Sequence, residues 1–140
     1  MAEIIVDTCV WIDASQGILD LDEIYSLAGS ERVHVSAISL GELEFGTHIP
    51  NDASERAARM ALLRAVERMS VLAVTRETAR SFGLLATMMR VAGRTPRPRS
   101  NDLWIAAQAH EHRLPLLTSN PEDFRALDAI EIIEAPRAAQ

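Results

Sequence analysis

The stretch Glu3-Ile4-Ile5-Val6-Asp7-Thr8 is the key to how the rest of the chain is read. Ile4, Ile5 and Val6 are consecutive β-branched residues, the composition of a short strand buried on both faces. Asp7 and Thr8 end the run with an acid and a hydroxyl, and Val10-Trp11-Ile12 begins an irregular or helical segment. Strands buried on both faces belong to parallel sheets whose two sides are covered by helices.

The same alternation recurs along the chain. Leu21, Ile24, Tyr25 and Ala28 have the spacing of a helix face, and Gly29-Ser30 stops it. Val33-His34-Val35 predicts a second strand, followed by a helix through Leu40, Leu43, Glu44 and Phe45. Ser39 with Glu42 matches a capping box for that helix, and Ser36 is an equal candidate for its start. Asn51-Asp52 opens a helix with Ala58, Ala61, Leu62, Ala65 and Met69 on one side. Residues 71–74 predict a third strand. Thr75 with Glu77 begins a helix that turns Ala79, Phe82, Leu85, Ala86 and Met89 inward and ends at Gly93. Pro96 and Pro98 keep 94–100 from being helical. Ser100 or Asn101 then caps a helix over 102–112. A fourth strand at 114–117, a short helix at 121–127 and a fifth strand at 130–133 complete the pattern. Five short apolar strands separated by helices imply an α/β layer fold with a parallel sheet. It forms a single domain over 1–134, with 135–140 as a flexible tail.

Composition narrows the chemistry. The chain has 140 residues, 48% of them hydrophobic, enough for one ordinary core. Its formal net charge is −6, and all 14 basic residues are arginine. Without lysine there is no Walker P-loop and no Schiff-base chemistry. Aspartate-based phosphatases and phospho-receivers share an acid after the first strand, but their sites also use a lysine. The single cysteine, Cys9, fits a reducing compartment and reads as a small buried hydrophobe. The N-terminus has no charged segment followed by an apolar stretch, and no run approaches the ~20 apolar residues of a membrane span. These features predict a cytoplasmic protein.

Three acids fall where an open parallel sheet binds ligands, outside the carboxyl ends of its strands. Asp7 follows strand one, Glu42 lies early on the helix after strand two, and Asp102 opens the helix that feeds strand four. Taken singly, each is accounted for by a turn, a capping box or a helix N-terminus. Brought within roughly 5 Å, they repel by about 3 kcal/mol per pair at an effective dielectric near 20. A hard divalent cation neutralises such a cluster, and with an activated water it hydrolyses phosphodiesters.

Four segments carry a family resemblance: Ile5-Val6-Asp7-Thr8-Cys9-Val10-Trp11-Ile12, Ser36-Ala37-Ile38-Ser39-Leu40-Gly41-Glu42-Leu43, Asn101-Asp102-Leu103-Trp104-Ile105-Ala106-Ala107-Gln108-Ala109 and Leu116-Leu117-Thr118-Ser119-Asn120-Pro121-Glu122-Asp123-Phe124. In this order, over nearly the whole chain, they resemble the PIN-domain ribonucleases, specifically the VapC-type toxins of bacterial toxin–antitoxin pairs. The resemblance implies a three-layer α/β/α fold around a mostly parallel five-stranded sheet and a Mg²⁺ or Mn²⁺ site. Asp7, Glu42 and Asp102 would be the metal ligands of an endoribonuclease that leaves 5′-phosphate and 3′-hydroxyl ends. A fourth acid is frequent in the last segment. Here Asn120 stands where many relatives carry aspartate, and Asp123 follows three residues later, so both are candidates. Asn120 before Pro121 also matches a helix N-cap. The resemblance further implies a homodimer, an RNA substrate, and a VapB-type antitoxin whose tail wraps the toxin, in some cases within a larger assembly. A non-catalytic RNA- or protein-binding module on the same fold is the alternative.

Thr8 and Thr118 are candidates to orient the site or its substrate, with Ser119 in the same role. Arg94, Arg97 and Arg99 precede Asp102 in the proline-containing loop and are placed to grip an RNA backbone. Arg56, Arg59, Arg64, Arg68, Arg76 and Arg80 read mainly as exposed helix positions whose role is solvation and local ion pairs. Trp11 and Trp104 read as core or interface aromatics. The four histidines have no metal-ligand spacing.

Overall fold

A computed structural model of the chain describes residues 3–29, 32–95 and 100–136. Five strands, β1 (Glu3–Val6), β2 (Arg32–Ser36), β3 (Ser70–Leu72), β4 (Leu116–Thr118) and β5 (Ile132–Glu134), alternate with six helices. These are α1 (Thr8–Ser15), α2 (Leu21–Ala28), α3 (Ala37–Gly46), α4 (Ala53–Glu67), α5 (Arg76–Val91) and α6 (Ser100–His112), with a 3-10 turn at Pro121–Phe124. The strands form one sheet in the order β3-β2-β1-β4-β5, and every pairing is parallel. The expected α/β/α architecture is therefore present, and its sheet is wholly parallel.

Side chains of β1 divide the core. Ile4 and Val6 pack with Trp11, Ile24, Val33, Val35, Leu62 and Val66 on one face. Ile5 packs with Leu85, Met89, Leu103 and Ile105 on the other. Thus α1, α2 and α4 cover one side of the sheet, and α5 and α6 the other. Both tryptophans are structural, Trp11 buried in the first cluster and Trp104 stacked on Phe82 with ring centroids 4.1 Å apart. The strand order reverses at β1, because the chain winds outward to β2 and β3 before returning to β4 on the other side. A reversal of this kind opens a crevice at the strands' carboxyl ends.

Several sequence expectations shift in register. Residues 73 and 74 lie outside β3, an edge strand whose exit is held by Gln108 Nε2 donating to the Leu72 and Ala73 carbonyls at 2.9 and 3.2 Å. Leu114 and Pro115 belong to the exit of α6 and not to β4: Leu114 N–H donates to the Ala109 carbonyl, after Arg113 turns through φ 56°. β4 accordingly ends one residue later, on Thr118. The inward face of α4 is Leu62, Leu63 and Val66, with Ala58 and Ala61 exposed. On α5 Ala79 is exposed, while Thr78 and Ser81 are buried. The tail does not begin at Ala135, which is 1% exposed and donates its N–H to the Thr118 carbonyl. Residues 137–140 of that expected tail lie outside the described residues. Among the described residues no helix is long and apolar enough to cross a membrane.

Candidate active site

Asp7 is the first residue beyond β1 and the N-cap of α1, so a strand end and a helix start fix its backbone together. The residue is 3% exposed. Oδ1 accepts the Thr8 N–H at 2.9 Å, and Oδ2 accepts the Thr118 hydroxyl at 2.8 Å and the Cys9 thiol at 3.3 Å. Despite these three donors, burial and the negative charge of Asp102 push its carboxyl from 3.8 up to about 6. The ionised form is thereby disfavoured by about 3 kcal/mol.

Thr8 joins this acid to the next. Its Oγ1 donates to Glu42 Oε1 at 2.8 Å and lies 2.7 Å from Ser39 Oγ. Ser36, not Ser39, caps α3, its Oγ accepting the Ile38 N–H at 3.0 Å. The expected Ser39–Glu42 capping box is thus absent, because the helix starts two residues before Ser39. Both side chains instead project from the same helical face onto Thr8.

Asp102 stands in the first turn of α6, where the helix dipole favours an anion. The helix begins at Ser100, so neither Ser100 nor Asn101 is its cap, and the capping position falls outside the described residues. Asp123, in the 3-10 turn, lines one small cavity together with Asp102, Met89, Leu103, Phe124 and Leu127. Asn120 holds the N-cap position before Pro121 but makes no side-chain cap bond, and its backbone N–H donates to Thr118 Oγ1 at 3.0 Å.

The candidate residues thus share one rim as three linked pairs: Asp7 with Asp102 by charge, Asp7 with Glu42 through Thr8, and Asp102 with Asp123 across a cavity. Among the described residues no three His, Cys, Asp or Glu side chains form a closed metal-binding group. The expected single cluster of three acids is therefore more open than the strand-end argument implied.

Arg97 and Arg99 lie outside the described residues. Arg94, from the same loop, donates to the Glu122 carbonyl at 3.0 Å and so ties the loop's start to the turn carrying Asp123. Sequence reasoning missed three contributors. Cys9 is half-buried and hydrogen-bonded, donating to Asp7 and accepting from the Ser119 hydroxyl at 3.0 Å; burial and the Asp7 charge push its thiol up. Ser39, whose spacing from Glu42 suggests a cap with Ser36 as an equal candidate, instead bonds Thr8. Arg59 makes the local ion pair expected of an exposed helix position, with Glu55 at 2.7 Å, and beyond it donates to the Gly46 carbonyl at 2.8 Å. It lines a cleft of about 720 Å³ with Glu42, Ile12, Ile38, Phe45 and Ile49. Helical spacing is the sequence signal for two of these, Ser39 lying three residues before Glu42 and Arg59 four after Glu55, and Cys9 carries none.

Comparison with known proteins agrees with this architecture. The family model described as the PIN domain matches residues 4–130. Ribonuclease VapC5 of Mycobacterium tuberculosis is 36% identical over 133 residues, covering 95% of this chain and 93% of that protein. Ribonuclease VapC4 of the same organism is 31% identical over 129 residues, covering 92% and 94%. The crystal structure of VapBC-5 from M. tuberculosis, a member of the VapBC family of toxin–antitoxin systems, matches with a TM-score of 0.79 at 36% identity, covering 96% of this chain and all of that one. With a sheet that reverses beside Asp7, this match and these relatives, the chain belongs to the PIN-domain family and, within it, to the VapC ribonucleases.

Proposed function

We propose that this chain is a Mg²⁺- or Mn²⁺-dependent endoribonuclease that hydrolyses RNA phosphodiester bonds, and the toxin of a type II toxin–antitoxin pair. The observation that carries the reading is Asp7, a carboxylate 3% exposed at the switch point of the sheet, with Asp102 beside it and its carboxyl raised to about 6. A buried acid facing another acid fits a cation, and oxygen-only donors fit a hard divalent one. Asp7, Asp102 and Glu42 would hold it. When bound, the ion supplies an activated water and shields charge building on phosphorus.

The chain's own residues prepare that chemistry. Thr118, Cys9 and the Thr8 N–H orient the Asp7 carboxylate, and Thr8 aligns Glu42. Asp123 is favoured over Asn120 as the fourth acid, because it shares a cavity with Asp102. Arg97 and Arg99 are assigned to substrate phosphates from their sequence position.

The partner is a VapB-type antitoxin. The cleft beside Glu42 supports this: Ile12 is 42%, Phe45 68% and Ile49 56% exposed, an apolar surface that suits an amphipathic tail. A basic residue on such a tail would meet the acidic rim, and the chain's net charge of −6 suits a basic partner. A homodimer, its incorporation into a larger toxin–antitoxin assembly, and a cytoplasmic location complete the proposal.

Purified protein is expected to cut RNA when Mg²⁺ or Mn²⁺ is added and to stop on adding EDTA. Cleavage indifferent to the chelator would overturn the metal-dependent reading. The openness of the acid group leaves a non-catalytic module as the second reading; it predicts no cleavage and no Mn²⁺-dependent rise in melting temperature.

A further inference from the structure

The hydroxyls of Ser39 and Thr8 form a chain whose direction is fixed by proton count. Thr8 has one O–H and two close neighbours, Glu42 Oε1 at 2.8 Å and Ser39 Oγ at 2.7 Å. The Thr8 hydroxyl is the donor to Glu42 Oε1, so its one proton is already used there. Thr8 Oγ1 must then accept from Ser39, which becomes the donor. Ser39 is fully buried and Thr8 is 5% exposed, so water does not compete freely for either bond.

We propose that Ser39 is a positioning residue that acts through Thr8 to hold Glu42 in register with Asp7. The inference rests on the metal-dependent reading above and deepens it. Ser39 and Glu42 lie three residues apart on α3, and both reach the first residue of α1. That same Thr8 donates its backbone N–H to Asp7 Oδ1. One residue therefore touches two acids, by main chain and by side chain. Loss of the Ser39 donor leaves the Thr8 oxygen without its second partner and loosens the hydroxyl's aim at Glu42. Partners that orient a metal ligand commonly change metal affinity about 10- to 100-fold when removed.

The test is a double-mutant cycle read by Mn²⁺ titration of the melting temperature, with RNA cleavage followed in parallel. Ser39→Ala and Thr8→Val each remove one hydroxyl at nearly constant shape, and Thr8→Ser keeps the hydroxyl. Ser39→Ala is expected to raise the Mn²⁺ midpoint about tenfold, and Thr8→Val by at least as much. Thr8→Ser should restore most of the affinity. Because Ser39 works only through Thr8, the double variant Thr8→Val with Ser39→Ala should match Thr8→Val alone. Midpoints that multiply in the double variant would overturn the relay, as would a wild-type midpoint in Ser39→Ala. A fall in melting temperature in EDTA with an unchanged Mn²⁺ midpoint would assign Ser39 to packing and equally overturn it. If the wild-type chain itself shows no response to Mn²⁺, the metal-dependent reading fails first, an outcome distinct from failure of the relay alone.

Discussion

The two ends of the central strand carry an acid each, and the two acids are treated in opposite ways. Glu3, where β1 begins, accepts a hydrogen bond from His34 Nε2 at 2.8 Å and faces Arg32 at 3.5 Å. The His34 bond outweighs the opposing effect of desolvation and, with a lesser contribution from the Arg32 charge, holds its carboxyl below the usual value. Asp7, four residues later, is buried beside Asp102 and pushed up to about 6. Glu3 has partners that settle its charge within the chain. Asp7 has donors for its oxygens but faces the like charge of Asp102, so its charge is compensated either by a proton or by a bound cation. The contrast separates a structural acid from a proposed metal ligand more sharply than sequence position does, since each lies at an end of the same strand.

Removing the proposed metal-binding acids should have the largest effect. Asp7→Ala and Asp102→Ala are each expected to lower RNA cleavage on the order of thousandfold, the loss of several kcal/mol of charge stabilisation in the transition state. Asp123→Ala should follow at a smaller loss, and Asn120→Ala should lose least. The measurement is the cleavage rate at saturating Mn²⁺, with folding checked by circular dichroism. Asp7→Ala retaining the wild-type rate would erase the distinction between the two ends of the strand.

Much of this was legible in the sequence for physical reasons. A β-branched triplet ended by an acid can hardly be anything but a buried strand meeting a polar rim, and Asp7 was placed accordingly. Asp102 was legible because a proline-broken segment must end before a helix starts. Glu42 was placed for only part of the right reason, since its spacing from Ser39 suggested a cap and the structure shows a shared face. Cys9 was opaque: a cysteine just before Val10 and Trp11 looks like core, and only the return of β4 brings Thr118 and Ser119 against it. Thr118 itself depended on where β4 ends, and strand ends are set by tertiary pairing that propensity does not encode. The separation of the acids into linked pairs was likewise invisible, because it depends on side-chain anchors far apart in sequence.

The next effect is on stability and can be measured without any substrate. A carboxyl near 6 in the fold and near 3.8 unfolded binds more protons in the native state between those values. Native stability from this group therefore falls as pH rises from about 4 to about 6, by about 3 kcal/mol in all. Asp7→Asn removes the titration. In EDTA, the stability of Asp7→Asn minus that of wild type should rise across this window by up to about 3 kcal/mol, read from urea denaturation at a series of pH values. A flat difference would mean that Asp7 is not the strained acid its burial implies. Mn²⁺ at pH 7 should reverse part of the difference, because the ion stabilises only the chain that still carries the carboxylate.

The smallest expected effect comes from the other end of β1, and its sign is what matters. A lowered carboxyl contributes stability above its unfolded value that is lost as pH falls through its folded one. Glu3→Gln should therefore be slightly less stable than wild type at pH 7 and lose that deficit on acidification. The difference between variant and wild type moves downward with rising pH, opposite to the difference for Asp7→Asn. The effect is small because the Glu3 side chain is 35% exposed and its pair with Arg32 lies at the surface, where ion pairs contribute little. The Mn²⁺ midpoint and cleavage rate should not change, since His34 keeps its second hydrogen bond to Ser70 at 2.7 Å and nothing in that pair reaches the acidic rim. Two substitutions four residues apart on one strand would then tilt the stability curve in opposite directions, and only the one at the carboxyl end would be felt by the metal. Matching slopes from both variants would show that the two acids sit in equivalent environments, and the argument from Asp7 to a bound cation would lose its footing.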